Sequence, residues 1–216
     1  MKIAEANAIT GGLSNPSKMP GYAFGFSATK CITGSKLRAV AGSVCSDCYA
    51  CKECYVFTSV KHAHQVRFEN LTRAIVDVEY RETWVDAMVR LIARRPWFRW
   101  HDSGDLQSVD HLVLIAEVCK RTPDVRHWLP TREYRMVAEY LATFVKPENL
   151  VIRVSAHMVG DHRPAAAFAQ KHGVVASGVS ESEAGKTCPA RDQGNECGEC
   201  RACWDPNVPL VIYPLH

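Results

Sequence analysis

Beyond Pro96 the chain settles into an alternation that few folds accept. Strand-length apolar runs at Trp97–His101, Val125–Leu129, Leu150–Ser155, Val174–Ser177 and Leu210–Tyr213 are set apart by longer segments. Three of those segments have helical character. Ser108 is placed to cap one running through Leu112, Leu114, Ile115 and Val118. Thr131 is placed to cap another carrying Met136, Val137, Tyr140 and Leu141, and a third, from about Arg163 to Lys171, ends at Gly173. Upstream, Tyr22–Thr29 alternates aromatic and small residues and reads as a first strand. Residues 58–77 and 80–94 read as helices. In the second, Trp84, Val85, Met88, Val89, Leu91 and Ile92 recur with a period near 3.6, and Pro96 stops it. Residues 1–20 carry Gly11-Gly12, Asn15-Pro16 and Pro20 and read as an irregular leader.

Six strands alternating with helices predict an α/β domain with a mostly parallel sheet. The expected form is a partial (β/α) barrel-like parallel sheet with cysteine-rich loops at the C-terminal ends of its strands. A full eightfold barrel typically needs about 250 residues, and this chain has 216. The alternative is an open doubly wound sheet, but no Gly-x-Gly-x-x-Gly follows the first strand. At this length, with 47% hydrophobic residues, a single domain over residues 1–216 is expected. Its parts are a β/α core over 22–178, a cysteine-rich segment over 188–204 and a closing strand over 209–213.

Ten cysteines need a chemical account. The N-terminal Met-Lys-Ile-Ala-Glu-Ala-Asn has no apolar signal region, so a cytoplasmic location is expected. In a reducing compartment cysteines serve as metal ligands more often than as disulfides. Cys188, Cys197, Cys200 and Cys203 fall within sixteen residues, the last three at two-residue gaps and the first on a Cys-Pro corner. Ferredoxin-type iron–sulfur runs combine such gaps with a Cys-Pro. Zinc, which also takes four thiolates, is the alternative metal. A triple run suits the closely spaced irons of a [4Fe–4S] cubane better than one tetrahedral ion.

The upstream cysteines are less regular. Cys45, Cys48, Cys51 and Cys54 recur every three residues, so on one helix each step turns by about 300° and Cys45 opposes Cys54. Cys45 and Cys48 are therefore expected on a loop, joined by Cys31 as ligands. Cys51 and Cys54 would open the following helix as packing residues. Three thiolates would leave one iron open to substrate. If Cys51 or Cys54 is instead the fourth ligand, the centre is structural or electron-transferring. Cys119, within an apolar helical stripe, reads as core.

Functional residues of parallel α/β proteins gather at the C-terminal ends of strands. Those positions here hold Asp102, Ser103, Gly104 and Asp105, then Thr131 and Arg132, then Ser155 and His157, then Ser177. Asp102 to Asp105 could bind an amine or ribose or act in acid–base chemistry, although capping carboxylates in a strand-to-helix turn look the same. Arg132 and His157 are candidates by position. His62 and His64, two residues apart on a helix, do not share a face. Arg67, Arg73, Arg90, Arg94 and Arg95 read as a solvated helix face. A net charge of +3 does not indicate nucleic acid. No run of eighteen apolar residues suggests a membrane span.

Three features resemble the phage-borne gene product 88 family. These are the cysteine loop closing as Cys48-Tyr49-Ala50 after Gly25-Phe26-Ser27, the strand end at Ser103-Gly104-Asp105, and the ending Thr187-Cys188-Pro189 through Cys197, Cys200, Cys203 and Trp204. More remotely, the layout is similar to the radical S-adenosylmethionine superfamily. That resemblance implies a cluster at Cys31, Cys45 and Cys48, a cofactor-contacting turn at Ser103-Gly104-Asp105, an auxiliary cluster at the terminal cysteines and S-adenosylmethionine as cofactor. The pattern departs from that superfamily in the thirteen residues between Cys31 and Cys45, and in the aromatic Tyr49, which follows the last cysteine. The leading expectation is an iron–sulfur enzyme of the host cytoplasm acting on a nucleotide, nucleic acid or peptide. The alternatives are a cluster- or zinc-stabilised protein that binds nucleic acid or a host protein without catalysis, and a small electron-transfer protein.

Overall fold

Seven strands, all parallel, form one sheet in the computed structural model, which describes residues 1–181 and 184–215. They are β1 (Tyr22–Phe24), β2 (Trp97–Trp100), β3 (Arg126–Thr131), β4 (Leu150–Ser155), β5 (Val175–Val179), β6 (Lys186–Thr187) and β7 (Leu210–Tyr213). Their order is β1-β2-β3-β4-β5-β7-β6, so β1 and β6 are edges and the sheet is not closed. The helices are α1 (Ile3–Thr10), α2 (Ile32–Leu37), α3 (Thr58–Val76), α4 (Val78–Ile92), α5 (Val109–Lys120), α6 (Tyr134–Thr143) and α7 (Arg163–His172).

Strand order follows chain order as far as β5. Right-handed crossovers between successive neighbours leave each connecting helix on the same face, and here each helix from α3 to α7 touches the next. A doubly wound sheet would reverse direction and clothe both faces. Alternate strand residues therefore meet two different environments. Phe24, Phe98, Trp100, Leu129, Leu150 and Ile152 join Leu71, Trp84, Met88, Leu112, Ile115, Val137 and Tyr140 in the main core. Cys119 lies in the same core, fully buried, as its apolar stripe predicts.

The opposite face carries Arg99, Trp128, Arg153, Ser155 and Ser177, with Tyr213 in register beside Val179. Among the described residues this face is met by the short 3₁₀ turn Ala202–Trp204. The segment leading into β7 lies there. Trp204 is buried between Trp97 and Trp128, at ring separations of 5.8 and 5.1 Å, and its indole N–H donates to the Phe98 carbonyl at 2.8 Å. The Arg153 guanidinium is fully buried and donates to the carbonyls of Ala176, Ala202, Asp205 and Val208.

Several expectations need correction. The leader contains a helix: α1 ends on Gly11, whose φ of +82° is the left-handed conformation that glycine adopts without strain. Ala6 packs there with Ala87 and Leu91 of α4. The first strand stops at Phe24 because Gly25 lets the β2 end turn back over it. A Cβ on Gly25 would sit 2.0 Å from the Asp102 carboxylate. Thr131 closes β3 rather than capping α6, whose N-cap is Glu133; the Thr131 hydroxyl donates to Asp105 and accepts from the Glu133 N–H at 3.1 Å. Ser108 does cap α5, accepting from the His111 N–H at 3.1 Å. Arg67 is not on a solvated face. It is buried and donates to the Gly11 carbonyl, the Ser14 hydroxyl and the Gly25 carbonyl. Cys51 and Cys54 lie in short 3₁₀ turns, because Lys52 is extended between them, and α3 begins only at Thr58. Strand β6 was not anticipated. Among the described residues no helix is long and apolar enough to cross a membrane.

Candidate functional site

The loop from Ser43 to Tyr49 lies against residues that follow two strands. Ser43 bridges Met158, the Val44 N–H donates to the His157 carbonyl, and the Tyr49 hydroxyl donates to the Asp102 carbonyl at 2.8 Å. Nearby, Thr33 at the start of α2 is held by Glu133, whose two carboxylate oxygens accept from its N–H and hydroxyl at 2.8 Å each. These anchors bring Cys31, Cys45 and Cys48 together. A point where a Cβ on Gly34 would sit is 3.7 Å from the Cys31 sulfur and 3.5 Å from the Cys45 sulfur. Any larger residue at position 34 would wedge into that gap. Burial pushes the Cys31 thiol far above its ordinary range, reinforced by the negative charge of Asp105 and by Cys48 and Cys45. Burial also raises Cys45, while the Arg132 guanidinium pulls it the other way. Cys51 hydrogen-bonds to Cys48, so it stands at the margin of this group; burial is the main cause of its raised pKa. Cys54 is exposed.

The second group is Cys188, Cys197, Cys200 and Cys203. The Cys188 N–H is tied to the Ile212 carbonyl, the Cys197 N–H to the Lys18 carbonyl, and the Cys200 N–H to the Cys197 carbonyl. Burial raises the Cys197 thiol, and neighbouring Cys188 and Cys200 raise it further. Burial and Cys200 raise Cys188, with the Ala190 N–H opposing them. Burial pushes Cys203 up to about 11, against the pull of the Tyr213 hydroxyl, which lies 3.2 Å from its sulfur. Arg99 and Arg153 both lower the Cys203 value, and Arg99 also lowers that of Cys197. The strongly buried face of the sheet thus supplies cations beside this group.

Neither group is a preformed single-ion site. Among the described residues no three His, Cys, Asp or Glu side chains are gathered closely enough to hold one metal ion. A tetrahedral zinc site would need its sulfurs about 3.8 Å apart, given Zn–S bonds of roughly 2.3 Å. A cubane spreads its ligands more widely. The raised thiol pKa values of Cys31, Cys45, Cys188, Cys197 and Cys203 also mean that a bound cation must supply the charge that keeps those sulfurs as thiolates. Thiols with adjacent cations are a donor set that an iron–sulfur cluster or zinc could use.

The Ser103-Gly104-Asp105 turn is built from backbone strain and close packing. His101 has φ +56° and Gly104 has φ +83°, and a Cβ on Gly104 would sit 2.7 Å from the Phe26 ring. Asp105 is buried with both oxygens engaged. One accepts from the Thr131 hydroxyl at 2.6 Å and from the Leu106 N–H, and the other from the Arg132 N–H at 2.9 Å. Burial lifts its pKa to about 6, against those hydrogen bonds. Asp105 therefore ties the ends of β2 and β3 together. Among the described residues the buried Ser103 hydroxyl is without a partner, and the Asp102 carboxylate accepts from the Ser103 N–H. His157 turns its Nε2 toward the Arg132 carbonyl at 3.2 Å and packs on Tyr134.

A small cavity lies at the ends of β4, β5 and β7, lined by Arg132, Ser155, Ser177, Gly178 and Tyr213 among others. Sequence position had marked Arg132, Ser155 and Ser177, but not Tyr213, Arg99 or Arg153. A charged residue inside an apolar strand was the available signal for both arginines.

These features define an all-parallel α/β protein with two groups of neighbouring thiols and a polar cavity beside them. The model for the family described as gene product 88 matches residues 2–206, so the chain belongs to the gene product 88 family. No curated protein matches it.

Proposed function

We propose that the chain is a phage-type iron–sulfur enzyme on a partial, radical-enzyme-like β/α barrel. Cys31, Cys45 and Cys48 hold a catalytic [4Fe–4S] cluster, and Cys188, Cys197, Cys200 and Cys203 hold a second, structural one. The observation that carries this reading is the separation of seven thiols into two groups, each tied to the rest of the fold by backbone hydrogen bonds. When bound, such a cluster supplies one-electron chemistry. The chain's own residues have definable tasks. Asp105 fixes the backbone at Arg132, the Ser103 hydroxyl is free to bind a polar ligand group, and Gly34 admits the close approach of Cys31 and Cys45. S-adenosylmethionine is the candidate co-substrate.

Iron and sulfide analysis of anaerobically purified protein tests this. Both elements should be present in equal amounts, with broad visible charge-transfer absorption. A colourless, fully folded protein replete in zinc sinks the reading.

The exposed side chains of Tyr49, Val56 and Phe57 support a second reading. They lie in the stretch that follows Cys48 in the chain. In that case the metal centres stabilise a surface that binds a host protein or nucleic acid. Reductive cleavage of S-adenosylmethionine by the iron-loaded protein separates the two readings, because a binding protein leaves the cofactor intact.

A further inference from the structure

We infer that the cavity lined by Arg132, Ser155, Ser177, Gly178 and Tyr213 holds the oxyanion group, a carboxylate or a phosphate, of a small-molecule ligand. This deepens the enzyme reading, on which it rests, by assigning a substrate class to the space beside the thiols.

Every polar side chain lining the cavity among the described residues (Arg132, Ser155, Ser177 and Tyr213) is a donor or can act as one, and no Asp or Glu lines it there. Arg132 uses only its backbone within the chain: its N–H donates to Asp105 and its carbonyl faces His157. The guanidinium has no ion pair among the described residues, because Asp105 is saturated and Glu133 is turned to Thr33. Its Nε is buried and has no partner. The residue as a whole is half-buried, so the planar fork is held at the cavity without being sealed off, and it matches the two oxygens of a carboxylate or phosphate. Ser155 and Ser177 are only 9% and 2% exposed. Ser177 donates to the Ser155 oxygen at 3.2 Å, which leaves the Ser155 proton to a ligand. The Tyr213 hydroxyl stands 3.2 Å from the Cys203 sulfur, while Arg132 acts electrostatically on Cys31 and Cys45. An oxyanion bound here would hold its parent molecule between the two thiol groups.

Thermal unfolding of the full-length protein, as purified, tests this with sodium phosphate and sodium acetate, each against sodium chloride at matched ionic strength. A saturable rise in Tm is expected. Phosphate alone raising it identifies a phosphorylated ligand, acetate alone a carboxylate, and both a site that reads the shared oxyanion. Arg132→Gln should weaken the apparent affinity at least tenfold, Ser155→Ala several-fold, and Arg132→Lys should recover part of the loss. The inference is overturned if neither anion exceeds chloride, or if Arg132→Gln binds like the wild type. Should Arg132→Gln fail to fold, Ser155→Ala decides, and unchanged affinity there overturns it too. The shift is read whatever the metal content. Iron-free protein that still binds anions refutes the cluster but not this site, and iron-bearing protein that binds none refutes only this site.

Discussion

Trp204 shows how one residue can secure a whole segment. It fills the space between Trp97 and Trp128 and uses its only polar atom on the Phe98 carbonyl. Replacing it with Ala removes a buried aromatic and its hydrogen bond to that carbonyl, at a cost of about 3–5 kcal/mol. Urea unfolding should register the loss. His127 and His111 give the chain a pH signature. Burial holds each imidazole near a pKa of about 3. Such a residue stays neutral when folded but takes a proton near pH 6.5 when unfolded. The unfolded state therefore binds more protons between about pH 6.5 and 3, and stability falls as pH drops through that window. Each histidine contributes roughly 1.4 kcal/mol per pH unit. His127→Gln should flatten the decline measured by urea unfolding from pH 6.5 to 5. An equal slope in wild type and variant would refute the assignment.

At the scale of elements, α5 depends on its Ser108 cap, and Ser108→Ala should lower stability by about 1 kcal/mol, visible as a drop in Tm. Arg153 is the clasp of the crossover into β7. Arg153→Met would remove the side-chain donor shared by four carbonyls and leave Lys186, Arg191 and Arg201 open to trypsin, so limited digestion should cut the variant there well before the wild type. These elements differ in how much of them the sequence reveals. Leu150–Ser155 and Leu210–Tyr213 are legible to the residue, because a strand covered on both faces is a nearly unbroken apolar run. Strand β6 is invisible, since Lys186 and Thr187 are both exposed and carry no pattern. Helix α1 escaped because its eight residues precede two glycines and a proline-rich stretch, which dominate the local reading. The cysteines are legible by spacing alone. Arg99 and Arg153 stand out only as charges inside apolar strands, and what they satisfy lies far away in the chain.

At the scale of the molecule, the two thiol groups should respond differently to loss. Cys48 lies on a loop held by its flanking residues, so Cys48→Ala should lower iron content yet leave the unfolding midpoint nearly unchanged. Cys200 lies within the segment that covers the face opposite the helices, and Cys200→Ala should lower both iron content and the midpoint. Equal loss of soluble protein from both changes would mean that neither group is specialised.

The order β5-β7-β6 also sets an order of events. Strand β6 pairs only with β7, which is made later. The edge of the sheet beyond β5 therefore stays unclaimed until Leu210–Tyr213 has docked, and only then can Lys186–Thr187 join. The tether between them is the segment from Cys188 to Trp204. Its four thiols thus wait on the last strand to dock, so the newly made chain passes through a stage in which Cys188, Cys197, Cys200 and Cys203 are still open to solvent.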